Sequence, residues 1–551
     1  MVQSVPGRRD RRRRLMARAC PSLAWQLPWA LVAGLAQAAS LAWPWGGEPL
    51  WWLQLASMAM LAWLLRPGAD RAVAWHRAAL IGGVFATAWL ASTFWWLFIS
   101  MHRYGALPAP LAAAAVLVLA AFLASYYAAA MGLFCRLAPL HRAGAALLFG
   151  ACWLLAELAR GSLWTGFPWG AGGYAHADGP LRVLARYVGV YGIGAVAALL
   201  ALLCVQWRRA DLRHWPMWLL LLAGAAALAL AAVQRTCAID LCDTPPPWRR
   251  DPTLSVELLQ GNIAQDEKFR PGSGVALALQ WYGQALRTAR AQLVVAPETA
   301  LPLLPQQLMP GYLEGLARHY AQGPQAALLG IPWGDQATGY TNSVLGLSPA
   351  TGAMPYRYDK HHLVPFGEFV PPFFKWFTAR MQIPLGNFNR AGVGQASFAW
   401  AGQRLAPNIC YEDLFGEELG ARFIDPAQAP TVFVNLSNIG WFGNTIAIDQ
   451  HLQISRMRAL EFERPMVRAT NTGATAIIDH RGQVTHQLAR HTRGVLRGQV
   501  HGRGLDAHSG WAITPYAWWV ARWGLWPLWA LAALALAWAM RAQRMRRARG
   551  A

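Results

Sequence analysis

The stretch Leu405-Ala-Pro-Asn-Ile-Cys410-Tyr-Glu-Asp413 has the pattern of a short apolar strand that ends at a cysteine. Two other strand-like stretches also end in a reactive or charged side chain, Val294-Val-Ala-Pro-Glu298 and Tyr356-Arg-Tyr-Asp-Lys360. Functional side chains in α/β sheets gather where strands meet loops, so we expect these three to lie together. A glutamate, a lysine and a cysteine supply a base, an oxyanion stabiliser and a nucleophile, a set suited to acyl transfer through a thioester.

Short apolar runs, turn signals and helical patterns alternate around these stretches. The runs predict strands at Leu254–Leu259, Gln292–Val295, Ala326–Gly330, Ser343–Leu347, Arg404–Ile409, Thr431–Leu436, Val467–Thr470 and Ala474–Ile478. The helical patterns are Val275–Ala291, Gly311–Tyr320 and Ile446–Glu463. This mixture predicts a layered α/β domain with a largely buried sheet.

Long apolar stretches precede and follow this region. A helix that spans a bilayer needs about 20 apolar residues. Eight spans are predicted, at Leu23–Leu41, Leu50–Leu65, Ala78–Ile99, Leu107–Leu133, Ala143–Leu158, Val183–Val205, Trp215–Val233 and Trp518–Met540. The second and fifth are short, which leaves them open to being tilted, re-entrant or wrongly bounded.

The distribution of arginine tests this topology, because basic residues favour the cytoplasmic side of a membrane. With the N-terminus inside, the inside segments contain 20 Arg and the membrane-proximal outside segments contain five. An uncleaved first span is preferred over a cleaved signal sequence, and both leave the large domain outside. The predicted layout is a basic cytoplasmic tail over 1–20, a seven-helix membrane domain over 21–233, an extramembrane domain over 234–515, an eighth span over 516–540 and a second basic tail over 541–551.

The net charge of +22 would suit a nucleic-acid partner if it lay in the extramembrane domain. Residues 234–510, however, contain 24 Lys and Arg against 21 Asp and Glu. The basic excess therefore belongs to the membrane part and its tails, where topology and anionic lipid explain it. We expect no nucleic-acid partner.

Of the seven cysteines, only Cys410 falls inside the α/β domain. Cys20, Cys135, Cys152 and Cys204 lie in or near predicted spans and are read as small apolar side chains. Cys237 and Cys242 follow the seventh span on the oxidising side, so they could pair, and this pairing is left open. Cys410 is then either buried and inert or chemically used.

Lysine is rare in this chain, which has 46 Arg and only Lys268, Lys360 and Lys375. A lysine that persists among so many arginines marks a place where a compact ammonium is needed, and we apply this argument to Lys360. Lys268 and Lys375 are read as chance survivals, and a surface lysine is the alternative for Lys360. The alternative for Glu298 is a charge at the start of a helix. If Glu298 acts as a base, we expect partial burial to raise its pKa.

The order and surroundings of Glu298, Lys360 and Cys410 resemble the carbon-nitrogen hydrolase (nitrilase) superfamily. Further matching segments are Leu259-Gln-Gly-Asn262-Ile, Tyr340-Thr-Asn342-Ser, Lys360-His-His-Leu-Val-Pro-Phe-Gly-Glu368, Asn435-Leu-Ser-Asn438, Gly440-Trp-Phe-Gly443 and Arg464-Pro-Met-Val-Arg-Ala-Thr-Asn471. This resemblance implies a four-layer α-β-β-α sandwich with a Glu-Lys-Cys triad. With the predicted spans added, the whole chain is similar to the bacterial apolipoprotein N-acyltransferase family.

The resemblance also implies roles for residues around the triad. Glu368 is implied as a second carboxylate that orients Lys360 or the leaving group, and Tyr411 and Glu412 as supporting residues beside the nucleophile. Local hydrogen bonding at a strand end is the alternative for each. Trp441, Phe442 and Asn342 are predicted to contact substrate, and ordinary core packing is the alternative for the two aromatic residues.

Two loops are predicted to serve lipid access. Pro371-Pro-Phe-Phe-Lys-Trp-Phe-Thr378 is apolar and aromatic, as expected of a lid that dips into the membrane interface. The glycine-rich segment 161–173 would support a lateral opening or, alternatively, pack tightly.

The implied reaction moves a fatty acyl chain from a membrane phospholipid to Cys410, and then to the N-terminal amine of a diacylglyceryl-modified apolipoprotein. The implied location is the bacterial inner membrane, multi-pass, with the catalytic domain on the periplasmic side, and we expect a monomer. No cofactor or metal is expected, because adjacent His361 and His362 are poorly spaced as ligands. The alternatives are a membrane-anchored amidase that uses water, or a transporter or receptor, whose sign would be unpaired charges within spans.

Overall fold

Helices form the N-terminal part of the chain, and two β-sheets form most of the C-terminal part. The computed structural model describes residues 22–66, 73–139, 141–207, 253–351, 355–370, 387–504 and 513–550. The predicted features that lie outside the described residues are the N-terminal tail, the seventh span Trp215–Val233, Cys20, Cys237, Cys242 and the loop 371–378.

The helices before the first sheet pack on one another through a shared apolar core. They are α1 (Leu23–Leu41), α2 (Trp51–Leu65), α3 (Trp75–Thr93), α4 (Leu97–Tyr104), α5 (Ala109–Leu137), α6 (Arg142–Ser162) and α7 (Ala185–Gln206). Within the described part, three helices are long and apolar enough to cross a membrane, and up to five if each bent pair is one span. The predicted number of eight spans therefore stays a prediction.

Two predicted spans are bent, which corrects the expectation of continuous apolar helices at Ala78–Ile99 and Trp518–Met540. Helices α3 and α4 meet at an angle of 60°. The last two helices, α12 (Pro515–Trp523) and α13 (Trp526–Gly550), meet at 89°. The second break lies at Gly524, whose φ of 55° is accessible to glycine but ends a right-handed helix. Hydropathy cannot report such a break, because the residues on both sides of it are equally apolar.

Helix α13 also continues beyond the predicted end of the eighth span. It runs through most of the predicted tail to Gly550. Arginine, alanine, methionine and glutamine are good helix formers, so the loss of apolar character at residue 541 does not end the helix.

Twelve strands form two six-stranded sheets. The strands are β1 (Thr253–Gln260), β2 (Leu293–Val295), β3 (Ala326–Asp335), β4 (Gly339–Leu347), β5 (Tyr356–Asp359), β6 (Phe398–Trp400), β7 (Gln403–Ile409), β8 (Val432–Ser437), β9 (Met466–Thr470), β10 (Ala476–Ile478), β11 (Val484–Gln487) and β12 (Gly494–His501). The first sheet has the order β12-β1-β2-β3-β4-β5, and the second has the order β11-β10-β9-β8-β7-β6.

Each sheet has three parallel strands in its interior, β1-β2-β3 in one and β7-β8-β9 in the other. Alternate residues of these strands face the opposite sheet, and Leu293 and Val295 pack there with Val432 and Val434. The residues between them face helices, so both faces are buried and the central residues of these strands are mostly apolar. The carboxyl ends of β2 and β7 precede Glu298 and Cys410.

Helices complete a four-layer α-β-β-α sandwich. Helices α8 (Gly274–Thr288) and α9 (Tyr312–Gln322) cover the first sheet, and α11 (Ala447–Phe462) covers the second. The short helix α10 (Gly416–Gly420) follows β7. Helix α11 is buried on nearly every side, because the N-terminal helices pack against the face that it turns away from the sheet.

The eight predicted strands and three predicted helices of this domain are present, with ends that differ by a few residues. The sequence analysis missed β6, β11 and β12. These strands lie at or next to sheet edges and are partly exposed, so their residues lack the continuous apolar pattern of the interior strands.

Candidate active site

The ammonium group of Lys360 lies between two buried carboxylates. Its Nζ is 3.3 Å from Oε1 of Glu298 and 2.9 Å from Oε1 of Glu368. Lys360 follows β5, Glu298 follows β2, and Glu368 lies in the loop after Lys360. The fold thus brings together side chains separated by 62 residues of sequence.

Asn342 links the two carboxylates. Its Nδ2 donates to Oε1 of Glu298 and to Oε1 of Glu368, both at 2.7 Å, while its backbone carbonyl accepts from the Lys360 N–H at 2.8 Å. The remaining oxygen of Glu298 accepts from the backbone N–H of Asn438 at 2.9 Å. Through these contacts Asn342 positions the carboxylates of Glu298 and Glu368. The predicted contact of Asn342 with substrate stays a prediction.

The pKa of Glu298 is lower than that of an ordinary glutamate, which corrects the expectation that burial would raise it. Burial does act to raise its pKa, but the charge of Lys360 and the hydrogen bond from Asn342 oppose it, and Lys268 and the Asn438 N–H add to them. Burial raises the pKa of Glu368, which Lys360 only partly offsets. For Lys360, burial is outweighed by Glu368 and Glu298, so its pKa is raised and the ammonium stays charged.

Cys410 lies at a sharp turn where β7 gives way to a 3₁₀ segment over Cys410–Leu414. Its φ of 52° is in the left-handed region, which is costly for a residue other than glycine and typical of functional positions that the surrounding structure holds in place. Burial raises the pKa of the Cys410 thiol to about 12, Glu298 adds to the rise and Lys360 opposes it. The thiol is therefore protonated in the resting protein, and it interacts electrostatically with both Glu298 and Lys360.

A buried charged network supports this turn from the side of α11. His451 Nε2 contacts both the backbone carbonyl of Cys410, at 3.2 Å, and Oδ1 of Asp413, at 2.9 Å. Arg468 NH1 donates to Oδ2 of Asp413 at 3.3 Å, and Ser455 donates to the same oxygen at 2.6 Å. The four side chains are fully buried. They hold the backbone of the cysteine in its strained conformation.

Glu412 ties the cysteine turn to the lysine segment. One of its oxygens accepts from the backbone N–H groups of His361, at 2.6 Å, and His362, at 3.2 Å. The other accepts from the Ile409 N–H and from the Tyr358 hydroxyl, both at 2.7 Å. The side chain is 2% exposed. This geometry agrees with the local hydrogen bonding that the sequence analysis held as its alternative role.

We expect Glu412→Gln to lower the free energy of unfolding by about 1–3 kcal/mol, the cost of buried polar groups left without partners. A glutamine has one acceptor oxygen, and its amide NH₂ would face N–H groups that now donate to a carboxylate. Thermal unfolding of the detergent-purified protein measures the change. Glu267→Gln, at a surface carboxylate paired with Arg270, is the matched control, and equal melting temperatures for the two variants would contradict the expectation.

The loop after α6 packs tightly against the turn of the cysteine. The Tyr411 hydroxyl donates to the carbonyl of Gly166 at 3.3 Å, and its ring lies 6.3 Å from that of Phe167. The buried guanidinium of Arg160 donates to the carbonyls of Phe167 and Trp169, both at 2.7 Å. The loop is therefore packed and fastened, which favours the tight-packing alternative for the segment 161–173.

The other end of this loop is held by Glu157, which lies buried within α6. Its Oε1 accepts from the backbone N–H of Gly172 at 2.7 Å. Glu157 and Arg160 are three residues apart and therefore lie on one face of the helix. Both side chains bind loop backbone, and Nε of Arg160 also donates to the Tyr127 hydroxyl at 3.1 Å, so both charges have partners within the structure.

Gln450 on α11 joins the catalytic sandwich to the N-terminal helices. Its Oε1 accepts from the indole N–H of Trp169, at 2.8 Å, and of Trp96, at 3.1 Å. Its Nε2 donates to the carbonyl of Thr93, where α3 ends, at 2.9 Å. Because His451 is the next residue, the bend between α3 and α4 is connected to the cysteine turn through adjacent side chains.

Trp441 and Phe442 follow Asn438 and face the same bend. The ring centroid of Phe442 is 4.2 Å from that of Trp96, and that of Trp441 is 5.8 Å from that of Tyr104. Both side chains are partly exposed. They line the junction between the two parts of the chain, and their predicted contact with an acyl chain stays a prediction.

The sequence analysis missed Lys268, which it read as a chance survival. Lys268 is buried, and its Nζ donates to the backbone carbonyl of Glu298 at 3.0 Å. The rarity of lysine was the signal that could have found it, since the same argument was applied to Lys360. Among the residues that the structure describes, no group of three His, Cys, Asp or Glu side chains is placed to hold a metal ion.

Two family models match this chain. Residues 25–203 match the apolipoprotein N-acyltransferase N-terminal domain, and residues 256–503 match the carbon-nitrogen hydrolase model. The second match assigns the α-β-β-α sandwich to the carbon-nitrogen hydrolase fold, and the first covers the N-terminal helices.

The chain is also similar to three bacterial proteins named apolipoprotein N-acyltransferase. It is 49% identical to that of Ralstonia nicotianae, over 82% of this chain and 84% of the relative. It is 39% identical to that of Bordetella bronchiseptica, over 90% of this chain and 93% of the relative. It is 39% identical to that of Chromobacterium violaceum, over 85% of this chain and 86% of the relative.

Proposed function

Because the chain belongs to the apolipoprotein N-acyltransferase family, we propose that it moves a fatty acyl chain from a membrane phospholipid to an apolipoprotein through a thioester on Cys410. The acceptor is the N-terminal amine of a diacylglyceryl-modified cysteine. The protein is thus an acyltransferase of bacterial lipoprotein maturation. The observation that carries the proposed chemistry is the position of Lys360 between Glu298 and Glu368, beside a cysteine held in a strained turn.

In the first half-reaction the sulfur of Cys410 attacks the ester carbonyl of the phospholipid. The thiol proton passes to Glu298, which is ionised because its pKa is low, and a C–S bond forms. Lys360 and the backbone N–H of Tyr411 stabilise the negative oxygen of the tetrahedral intermediate. The C–O bond then breaks, Glu298 returns the proton to the departing alkoxide, and a lysophospholipid leaves.

In the second half-reaction the neutral α-amine of the apolipoprotein attacks the thioester carbonyl. Glu298 accepts a proton from the amine as the C–N bond forms, and the C–S bond breaks. The proton returns to the sulfur, which restores the Cys410 thiol and releases the N-acylated lipoprotein. Glu298 thus takes and gives back one proton in each half-reaction, and Glu368 and Asn342 keep Lys360 in place.

The proposed location is the bacterial inner membrane, with the sandwich on the periplasmic side. The excess of arginine on the opposite side of the predicted spans supports this orientation. The bend between α3 and α4 supports a lipid route to the site, because its aromatic side chains contact Trp441 and Phe442 beside Asn438. An acyl chain reaching Cys410 from the outer leaflet would pass this junction.

Intact-mass analysis of the full-length protein purified with phospholipid tests the proposal. We expect an added acyl mass on the wild type that hydroxylamine removes, since hydroxylamine cleaves thioesters, and no such mass on Cys410→Ala. Adding an apolipoprotein peptide should discharge the adduct with N-acylation of the peptide. Discharge at the same rate without an amine acceptor would identify a hydrolase instead, and absence of any adduct would reject the thioester.

A further inference from the structure

Lys268 lies in the loop between β1 and α8 and points into the active site. Its side chain is 1% exposed, and its Nζ donates to the backbone carbonyl of Glu298 at 3.0 Å. An ammonium is costly to bury unless opposite charge or good acceptors surround it. Two of the three lysines of this chain are therefore buried beside the same carboxylate, whereas most basic positions of the chain are arginine.

We propose that Lys268 is a second cationic positioning residue of this active site, which fixes the backbone of Glu298 and supplies a positive charge beside the Glu298 carboxylate and the Cys410 sulfur. The inference rests on the proposed function for the reaction that this charge assists. Lys268 forms and breaks no covalent bond and transfers no proton in it.

Lys268 acts first through its hydrogen bond to the main chain of Glu298. Glu298 follows the short strand β2 and precedes Thr299, whose φ of 48° is left-handed and therefore strained. The backbone N–H groups of Ala296 and Leu301 donate to carbonyls of β3, so β3 holds the chain before and after Glu298. The bond from Lys268 to the Glu298 carbonyl holds the main chain on one side, while the Asn438 N–H holds the carboxylate on the other.

The loop that carries Lys268 is itself fixed to the second sheet. Gln265 Oε1 accepts from the Asn438 side chain at 2.8 Å. Asn471, which follows β9, accepts from the Ile263 N–H at 3.1 Å and donates to the Ile263 carbonyl at 2.8 Å. One loop therefore anchors both the carbonyl of Glu298 and the residue whose N–H holds its carboxylate.

Lys268 also acts electrostatically. Of the charged groups in the site, Glu298 and, once ionised, Cys410 interact directly with Lys268, and Glu298 interacts in turn with Lys360 and Glu368. Acids of its own loop are engaged elsewhere, since Asp266 pairs with Arg103 and Glu267 pairs with Arg270. With Lys360 alone, two carboxylates would leave the site at a net charge of −1 before the thiol ionises. A second ammonium brings the resting site to neutrality, so a thiolate or an oxyanion forms against less repulsion.

The ionisation of Lys268 makes this contribution depend on pH. Burial lowers the pKa of Lys268 to about 7, although Glu298 and the Cys410 sulfur oppose the shift. The side chain is therefore mostly charged below pH 7 and mostly neutral above it. The electrostatic assistance is present at low pH and declines as the pH rises through this value.

Two substitutions of Lys268 separate the anchor from the charge. Lys268→Met removes both, and Lys268→Gln keeps a hydrogen-bond donor without the charge. Arg270→Met is the matched control, since it removes one positive charge from an exposed position of the same segment. The measurement is the rate at which methyl methanethiosulfonate modifies Cys410 in the full-length protein in detergent, followed by peptide mass spectrometry between pH 6 and 9.

At pH 6.5 we expect the Met and Gln variants to react about tenfold more slowly than the wild type, the effect of raising the thiol pKa by about one unit. This deficit should shrink towards pH 9, where wild-type Lys268 is neutral. The Arg270→Met control should stay close to the wild type. If the Met variant does not fold, the comparison uses the Gln variant alone, which we expect to fold because it keeps a hydrogen-bond donor near the Glu298 carbonyl.

Wild-type rates at pH 6.5 in the Gln variant would overturn the inference. A purely structural role predicts a deficit that does not change with pH. The acid limb of acyl-adduct formation gives a second measurement, and removing the charge should move it to higher pH because Lys268 helps to lower the pKa of Glu298. A missing adduct on the wild type would count against the proposed function, whereas the rates of thiol modification test Lys268 without any acyl donor.

Discussion

Glu298→Gln is expected to slow acyl transfer by about 10²–10⁴-fold, the usual contribution of a positioned general base. Glutamine has nearly the same shape, but it cannot take the proton of the Cys410 thiol. That proton needs an ionised acceptor placed close to the sulfur, because burial raises the pKa of the thiol to about 12 and the thiol does not ionise unaided at neutral pH. The lowered pKa of Glu298 keeps the carboxylate ionised and ready to accept at neutral pH. The release of lysophospholipid in a single turnover measures the effect.

The fold should survive this substitution. The glutamine oxygen can still accept from Lys360 and Asn342, so the loss lies mainly at the Asn438 N–H. We therefore expect a fall of about 1–3 kcal/mol in the free energy of unfolding. Glu314→Gln, at an exposed carboxylate of α9, is the control and should match the wild type in rate and melting temperature. A Glu298→Gln rate within a few-fold of the wild type would remove Glu298 as the base.

Lys360→Met is expected to cost both activity and stability. Removing one partner of a buried ion pair destabilises a protein by about 3–5 kcal/mol, because the remaining charge is left buried without compensation. Here two carboxylates lose their shared cation. Loss of an oxyanion stabiliser alone slows an acyl transfer by about 10²–10³-fold. We expect Lys360→Arg to restore little, because a planar guanidinium does not replace a compact ammonium at a site that is 1% exposed.

The stability lost in Lys360→Met should depend on pH in a defined direction. Lys360 lowers the pKa of both carboxyls in the wild type, so its removal raises both. The variant is then least stable at neutral pH, where the carboxylates are charged, and recovers towards the wild type as the pH falls and they take up protons. Thermal unfolding in detergent from pH 7.5 to pH 4.5 measures this difference. Arg318→Met, at an exposed cation of α9, should show a constant small difference, and a Lys360→Met deficit that grows at low pH would contradict the argument.

Much of the sandwich could be predicted because both faces of its interior strands are buried. Strands such as β2 are apolar along their whole length, and their ends are marked by turns and polar residues. The edge strands β6, β11 and β12 carry no such pattern, because solvent on one side relaxes the demand for apolar residues. The bends between α3 and α4 and between α12 and α13 could not be predicted either, because the residues on both sides of each bend are apolar.

The chemistry of the site was predictable to a similar extent. Glu298, Lys360 and Cys410 stood out because each follows a strand-like segment, and the segments from Lys360 to Glu368 and around Cys410 made the resemblance specific. Lys268 and His451 did not stand out. Neither follows a strand, and their importance comes from the partners that the fold brings to them.

The sequence by itself determined which residue types meet at the strand ends and which stretches are apolar enough for a membrane, because both follow from local composition and periodicity. Only the tertiary structure decided the charge state of the site. Whether Glu298 is more or less acidic than a free glutamate depends on the balance between burial and two ammonium groups, 30 and 62 residues away along the chain. Electrostatic energy varies with distance in space and with burial, and neither is written in the order of the residues.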